Sequence, residues 1–138
     1  MTEELDKKLC AKYPKIFADR NADMKDTCLC WGFEHGDGWY WLLDRLCKKL
    51  QWDIDNNGDP QIKAAQVKEK FGGLCFYIDG GTVEQHAQIS LAESMSGGIC
   101  EYCGSTKEIG HTGGWIKTLC KTCGEKIEKS NWKLAGSD

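Results

Sequence analysis

The stretch CEYCGSTKEIGHTGGWIKTLCKTCG, residues 100–124, decides how the end of this chain folds. It holds two C-x2-C pairs, Cys100/Cys103 and Cys120/Cys123, separated by 16 residues. A C-x2-C pair brings two sulfurs to one ion from a single tight turn, and two such pairs complete a tetrahedron. The intervening segment is long enough for a short hairpin that returns the second pair to the first. Gly104 and Gly124 follow the two pairs and suit metal-binding turns with positive φ. Two disulfides, or thiols packed as small apolar groups, are the competing readings, and the spacing favours one Zn²⁺. Four thiolates fill its coordination and leave no place for water or substrate, so the ion is expected to be structural.

Working outward, 138 residues allow one compact domain or a body with a small metal-held module. No basic and apolar leader opens the sequence, and no apolar run approaches membrane-spanning length. The expectation is a cytoplasmic protein with no membrane partner. Nine cysteines is an odd total that argues against a complete disulfide framework. Cys10, Cys28, Cys30, Cys47 and Cys75 are expected to stay reduced. Residues 1–98 carry 12 Lys/Arg against 16 Asp/Glu, and residues 99–138 carry 6 against 5. A ribbon that grips phosphates needs a cationic excess, which this one lacks.

Upstream of the cysteines, a helix is predicted over Glu3 to Phe17, with Leu5, Leu9, Tyr13 and Ile16 on one face and Pro14 near its end. Ala18 to Thr27 reads as loop, and Cys28 to Gly38 as an ordered, glycine-rich connection. A second helix starts with Asp37 as its cap. Its stripe of Trp39, Leu42, Leu43, Leu46, Cys47 and Leu50 is the clearest amphipathic pattern in the chain. Trp52 to Pro60 reads as a turn. Val67–Phe71, Gly72-Gly73 and Leu74–Ile78 favour a β-hairpin, with a short helix over 61–71 as the alternative. A third helix runs from Val83 to Met95, with Val83, Ala87, Ser90, Leu91, Ser94 and Met95 sharing one face. The expected fold is α+β: a helical body with a hairpin over 1–98, a four-cysteine zinc ribbon over 99–129, and a flexible tail over 130–138.

Taken together, GFEHGDGWY (Gly32–Tyr40), VKEKFGGLCFY (Val67–Tyr77), CEYCG and GWIKTLCKTCG resemble a family of small bacteriophage and prophage zinc-ribbon proteins with GDGW and KEKFGGLRFY segments. The resemblance covers most of the chain. It implies a phage genetic setting without naming an activity. Cys75 stands where that pattern has arginine, so a cationic role at this position does not carry over.

Other candidate chemistry is weaker. Asp53-x-Asp55-x-Asn57-Gly58-Asp59 starts like a calcium loop, yet Ala64 occupies the position of the bidentate glutamate and Pro60 the eighth position. A polar turn explains it better. Cys28 and Cys30 with His35 could form a second metal site, joined by Cys10 or Cys47, or a nucleophilic pair. The C-x-C spacing and acidic neighbours argue against both. No catalytic signature is present, and a cysteine-dependent enzyme is the minor alternative. Basic and aromatic residues mark a candidate partner surface: Lys68, Lys70 and Phe71 on the hairpin, and Trp115, Lys117 and Lys121 on the ribbon. The expectation is a non-enzymatic, zinc-binding phage-type effector that modulates a host protein, such as a counter-defence inhibitor. The alternative is a nucleic-acid-binding accessory protein using the ribbon.

Overall fold

A computed structural model describes residues 1–25, 27–127 and 131–136, and the chain is α+β. The body is built around helix α2 (Tyr40–Asn56), which follows a 3-10 turn at Asp37–Trp39. Trp39, Leu42, Leu43, Leu46, Cys47 and Leu50 are all buried, as their helical spacing requires. Against this stripe pack helix α1 (Glu3–Lys12), helix α3 (Val83–Ser96) and a three-stranded sheet.

That sheet has the order β1 (Phe33–Glu34), β2 (Ala64–Lys70), β3 (Gly73–Ile78). The expected hairpin is β2–β3, antiparallel, with Lys70 opposite Gly73. Phe71 and Gly72 form its two-residue loop with φ of 52° and 84°, the handedness that suits the twist of a hairpin. Strand β1 was not foreseen. It pairs parallel to β2, placing Phe33 beside Val67, and Phe33 meets the Phe17 ring edge-on at 5.1 Å.

Several expected boundaries shift for local reasons. Helix α1 stops at Lys12 rather than Phe17, because Pro14 supplies no N–H and obstructs the preceding turn. Tyr13, Ile16 and Phe17 still enter the core, and the Tyr13 hydroxyl donates to Asp44 Oδ1 at 2.9 Å. Asp37 lies within the 3-10 turn instead of capping α2, and its carboxylate accepts the Thr2 N–H at 2.7 Å. Helix α2 runs on to Asn56, so Asp53 and Asp55 are helical and no calcium loop forms. Asp53 is buried and receives Lys49, Asn57 and Gln88 donors, which secures the last turn.

Helix α3 opens with a capping box between Thr82 and Gln85. Its buried face is Gln85, Ile89, Ala92 and Ser96, which leaves Val83, Leu91 and Met95 exposed.

A second sheet follows in the order β5 (Thr118–Cys120), β4 (Ile109–His111), β6 (Lys133–Leu134), with a short helix α4 (Lys121–Glu125) after β5. The β4–β5 pair is the hairpin expected between the cysteine pairs. Residues 131–136 differ from the expected tail. Lys133 and Leu134 pair with β4, and the Trp132 indole N–H donates to the Leu119 carbonyl at 2.9 Å. The indole gives this stretch an apolar anchor, which a frayed end would lack. Glu128, Lys129, Ser130, Ser137 and Asp138, at the ends of the expected ribbon and tail, lie outside the described residues.

Candidate metal centre

Cys100 and Cys103 flank a turn after α3, and Cys120 and Cys123 lie at the β5–α4 junction. Their four Sγ atoms fall within 4.8 Å of one another, a group that could hold a metal ion. Sulfur ligands at about 2.3 Å from a tetrahedral ion stand roughly 3.8 Å apart. The Cys103 and Cys120 sulfurs are separated by 3.7 Å, which fits. Cys100 and Cys120 are buried, Cys123 is half-buried and Cys103 is exposed.

Backbone hydrogen bonds favour the thiolate at Cys100. Burial works to raise the Cys100 thiol, but backbone hydrogen bonds from Cys120, Cys103 and Tyr102 outweigh it and bring the pKa down to about 7. The Cys123 N–H points at Cys120 Sγ at 3.5 Å. Without a cation to share, Cys123 is pushed up to about 12, by burial first and then by its sulfur neighbours. A divalent cation would relieve that crowding and draw all four into the thiolate form.

The glycines after the two pairs do different work. Gly104 takes φ +80°, and its N–H closes the first turn onto the Cys100 carbonyl at 2.9 Å. Gly124 lies within helix α4 and is there for contact, since any Cβ would collide with the Trp132 indole.

The metal module is fastened to the body through the GDGW segment. The Gly38 N–H donates to the Glu101 carbonyl at 2.8 Å, and the Gly36 N–H to Glu101 Oε2 at 3.0 Å. The Trp39 indole N–H reaches the Ile99 carbonyl at 3.0 Å. A Cβ on Gly38 would collide with the Cys100 carbonyl oxygen. These two glycines therefore let the backbone of the first cysteine turn lie directly on the body.

The hairpin supplies a second fastening. Lys117 Nζ stands 3.2 Å from Glu69 Oε2 on β2 and 3.2 Å from Glu101 Oε1 beside the cysteines. The Glu101 side chain is only 2% exposed, so Lys117 is its required counter-charge. Thr118 adds a hydroxyl donor to the Gly72 carbonyl at 2.6 Å. Neither Glu69 nor Glu101 stood out in the sequence, because acidic residues at such positions are ordinarily solvated.

The candidate partner residues divide accordingly. Lys117 is turned inward as this brace. Phe71 and Trp115, 79% and 80% exposed, come together with Ile116 around a cleft of about 350 Å³, with Lys70 and Glu69 also in its wall. Lys70 Nζ lies 5.7 Å from the centre of the Phe71 ring, and Lys68 Nζ lies 5.9 Å from that of Tyr77. Lys121 is exposed at the start of α4 and does not line the cleft.

His35 is buried between the rings of Phe33 and Trp39. Among the described residues, no second cluster joins Cys28, Cys30 and His35 as metal ligands, and none of the nine cysteines forms a disulfide. No helix among the described residues is long and apolar enough to cross a membrane. No protein-family model, curated protein or solved structure matches the chain.

Proposed function

We propose that this chain is a non-enzymatic, zinc-stabilised effector of the bacteriophage type that binds a host protein in the bacterial cytoplasm. The observation that carries this reading is the pairing of Phe71 and Trp115. Two large aromatic side chains, one from each half of the molecule, stand almost fully exposed around one cleft. Exposed aromatics of this kind cost solubility and supply most of the binding energy where they meet a partner. Phe71 also holds φ +52°, a conformation unfavourable for a bulky residue, which places its ring at the tip of the hairpin.

The four-thiolate centre supports a structural rather than catalytic use of the ion, because its coordination is complete without substrate. The phage setting rests on the GDGW and KEKFGG motifs, and modulation of a host defence enzyme is one form the activity would take. The test is crosslinking and mass spectrometry in bacterial lysate with wild type, Phe71→Ser and Trp115→Ser. One host protein crosslinked to this face by wild type and lost from both variants is the expected result. Crosslinks that persist unchanged in both variants overturn it.

A second reading has its own observation. Lys68 over Tyr77 and Lys70 beside Phe71 form cation–aromatic pairs on the hairpin, which could stack bases of a single strand. Binding to single-stranded probes that weakens steeply with salt would favour this reading over the first.

A further inference from the structure

A different face of the molecule carries a second exposed groove, apart from the Phe71–Trp115 cleft. Helices α2 and α3 lie side by side over buried Leu42, Leu46 and Ala92. Above this floor a groove of about 300 Å³ opens. Its α3 wall is Leu91 and Met95, 64% and 43% exposed, and its α2 wall begins with Trp41, 60% exposed. Along α2, Trp41, Arg45 and Lys49 follow at i, i+4 and i+8, so one apolar and two cationic side chains form a single edge. No acidic residue lines the groove. Lys49 is paired with Asp53, whereas Arg45 is exposed and has no ion-pair partner among the described residues.

A solvated helix face does not need tryptophan. Trp41 and the 52%-exposed Trp52 both lie on the outer side of α2, away from the core stripe. From Trp41 to Lys49 the groove follows about 12 Å of helix, room for roughly two turns of an occupant. We infer that the α2–α3 groove receives an acidic amphipathic helix of a partner protein, its apolar stripe on Leu91, Met95 and Trp41 and its carboxylates facing Arg45. Helix-in-groove recognition reads apolar anchors at i, i+3/i+4 and i+7, which matches the two-helix lining. Charge decides against a second copy. A symmetric contact centred on this groove would bring two copies of one cationic edge together, with no acidic residue in either lining to pair them.

The test uses the full chain and two synthetic helical peptides with identical leucine stripes, one flanked by glutamates and one by lysines. Fluorescence anisotropy of the labelled peptides should show saturable binding of the acidic peptide and about tenfold weaker binding of the basic one. Arg45→Glu should close or reverse that difference. Leu91→Lys, at an exposed position that leaves the core intact, should abolish binding, with circular dichroism confirming an unchanged fold. Phe71→Ser should leave the acidic peptide bound as before, which separates this site from the cleft. Equal affinity for the two peptides, or no binding of either, overturns the proposal. So does a dimer in sedimentation equilibrium, or binding to anionic vesicles, that Leu91→Lys removes.

Discussion

His35 is neutral at physiological pH because of where its ring is placed. The imidazole lies between Phe33 and Trp39, and burial drives its pKa from the ordinary 6.5 down to about 4. The hydrogen bond from Nδ1 to the Gly36 carbonyl, 2.7 Å, favours the cation and offsets part of that shift. Nε2 is buried with no partner, so a proton there would have nothing to donate to. Between pH 6.5 and 4 the unfolded chain binds a proton that the folded chain refuses. Stability therefore falls as pH drops through that window. From pH 7 to pH 5 this one residue should remove about 2 kcal/mol. Denaturant melts of wild type and His35→Phe at both values isolate the effect, since the variant should lose that much less. Parallel losses in the two proteins would contradict it. At this scale the sequence shows its limits clearly. The sulfur spacing announced the four-cysteine cluster that could hold a metal ion, because four ligands to one tetrahedron must meet within a short segment. Gly36 and Gly38 read as turn glycines, yet they face the backbone of Cys100 and Glu101, more than sixty residues away. A local pattern cannot express that contact.

Among the elements, the hairpin and the metal module depend on each other through Lys117. Its ammonium is the counter-charge of both Glu69 and Glu101, and burial of the lysine is outweighed by these carboxylates, which raise its pKa. Lys117→Met should cost about 3 kcal/mol, the scale for stranding buried charge. Adding Glu101→Gln should recover part of the loss, because it removes one of the stranded charges. Metal content should stay unchanged in both variants, since neither residue is a sulfur ligand. Thermal melts with a zinc assay check this, and a loss below about 0.5 kcal/mol would mean an ordinary surface pair. Helices were legible in proportion to the strength of their pattern. The α2 stripe is unbroken, and all of its expected residues are buried. Helix α3 is weakly patterned, so the face read from Val83, Leu91 and Met95 is exposed and the buried one includes Gln85 and Ser96. Those polar residues enter because partners await them: Gln85 caps its own helix, and the Ser96 hydroxyl accepts the Leu74 N–H at 2.9 Å.

Over the whole molecule, the metal module is a wall of the body rather than an appendage. The Ile99 and Glu101 carbonyls and the Gly72 carbonyl are all used in fastening one to the other. Module and body do not share stability equally, however. Leu119, Cys100 and Cys120 make up the module's buried core, with Ile109, Ile127 and Trp132 packed around it. The body has the α2 stripe, three helices and a sheet. So small a cluster cannot offset the entropy of ordering some thirty residues without the ion. Metal removal should therefore unfold residues 99–127 and spread to their contacts, while the centre of α2 survives. Amide hydrogen exchange with and without chelator reads this directly. The Gly38 and Glu101 amides, which donate to the Glu101 and Thr118 carbonyls, should lose protection together with Gly104, whereas Leu46 to Leu50 should stay protected. Cys103→Ser, at the most exposed ligand, should give the same pattern without chelator and lower the melting temperature. The aromatic cleft should disappear with it, because Trp115 is carried by the module and Phe71 by the body. If chelation leaves the Gly38 and Gly104 amides protected, the ion does not hold the module. The sulfurs would then be packed thiols whose spacing has another cause.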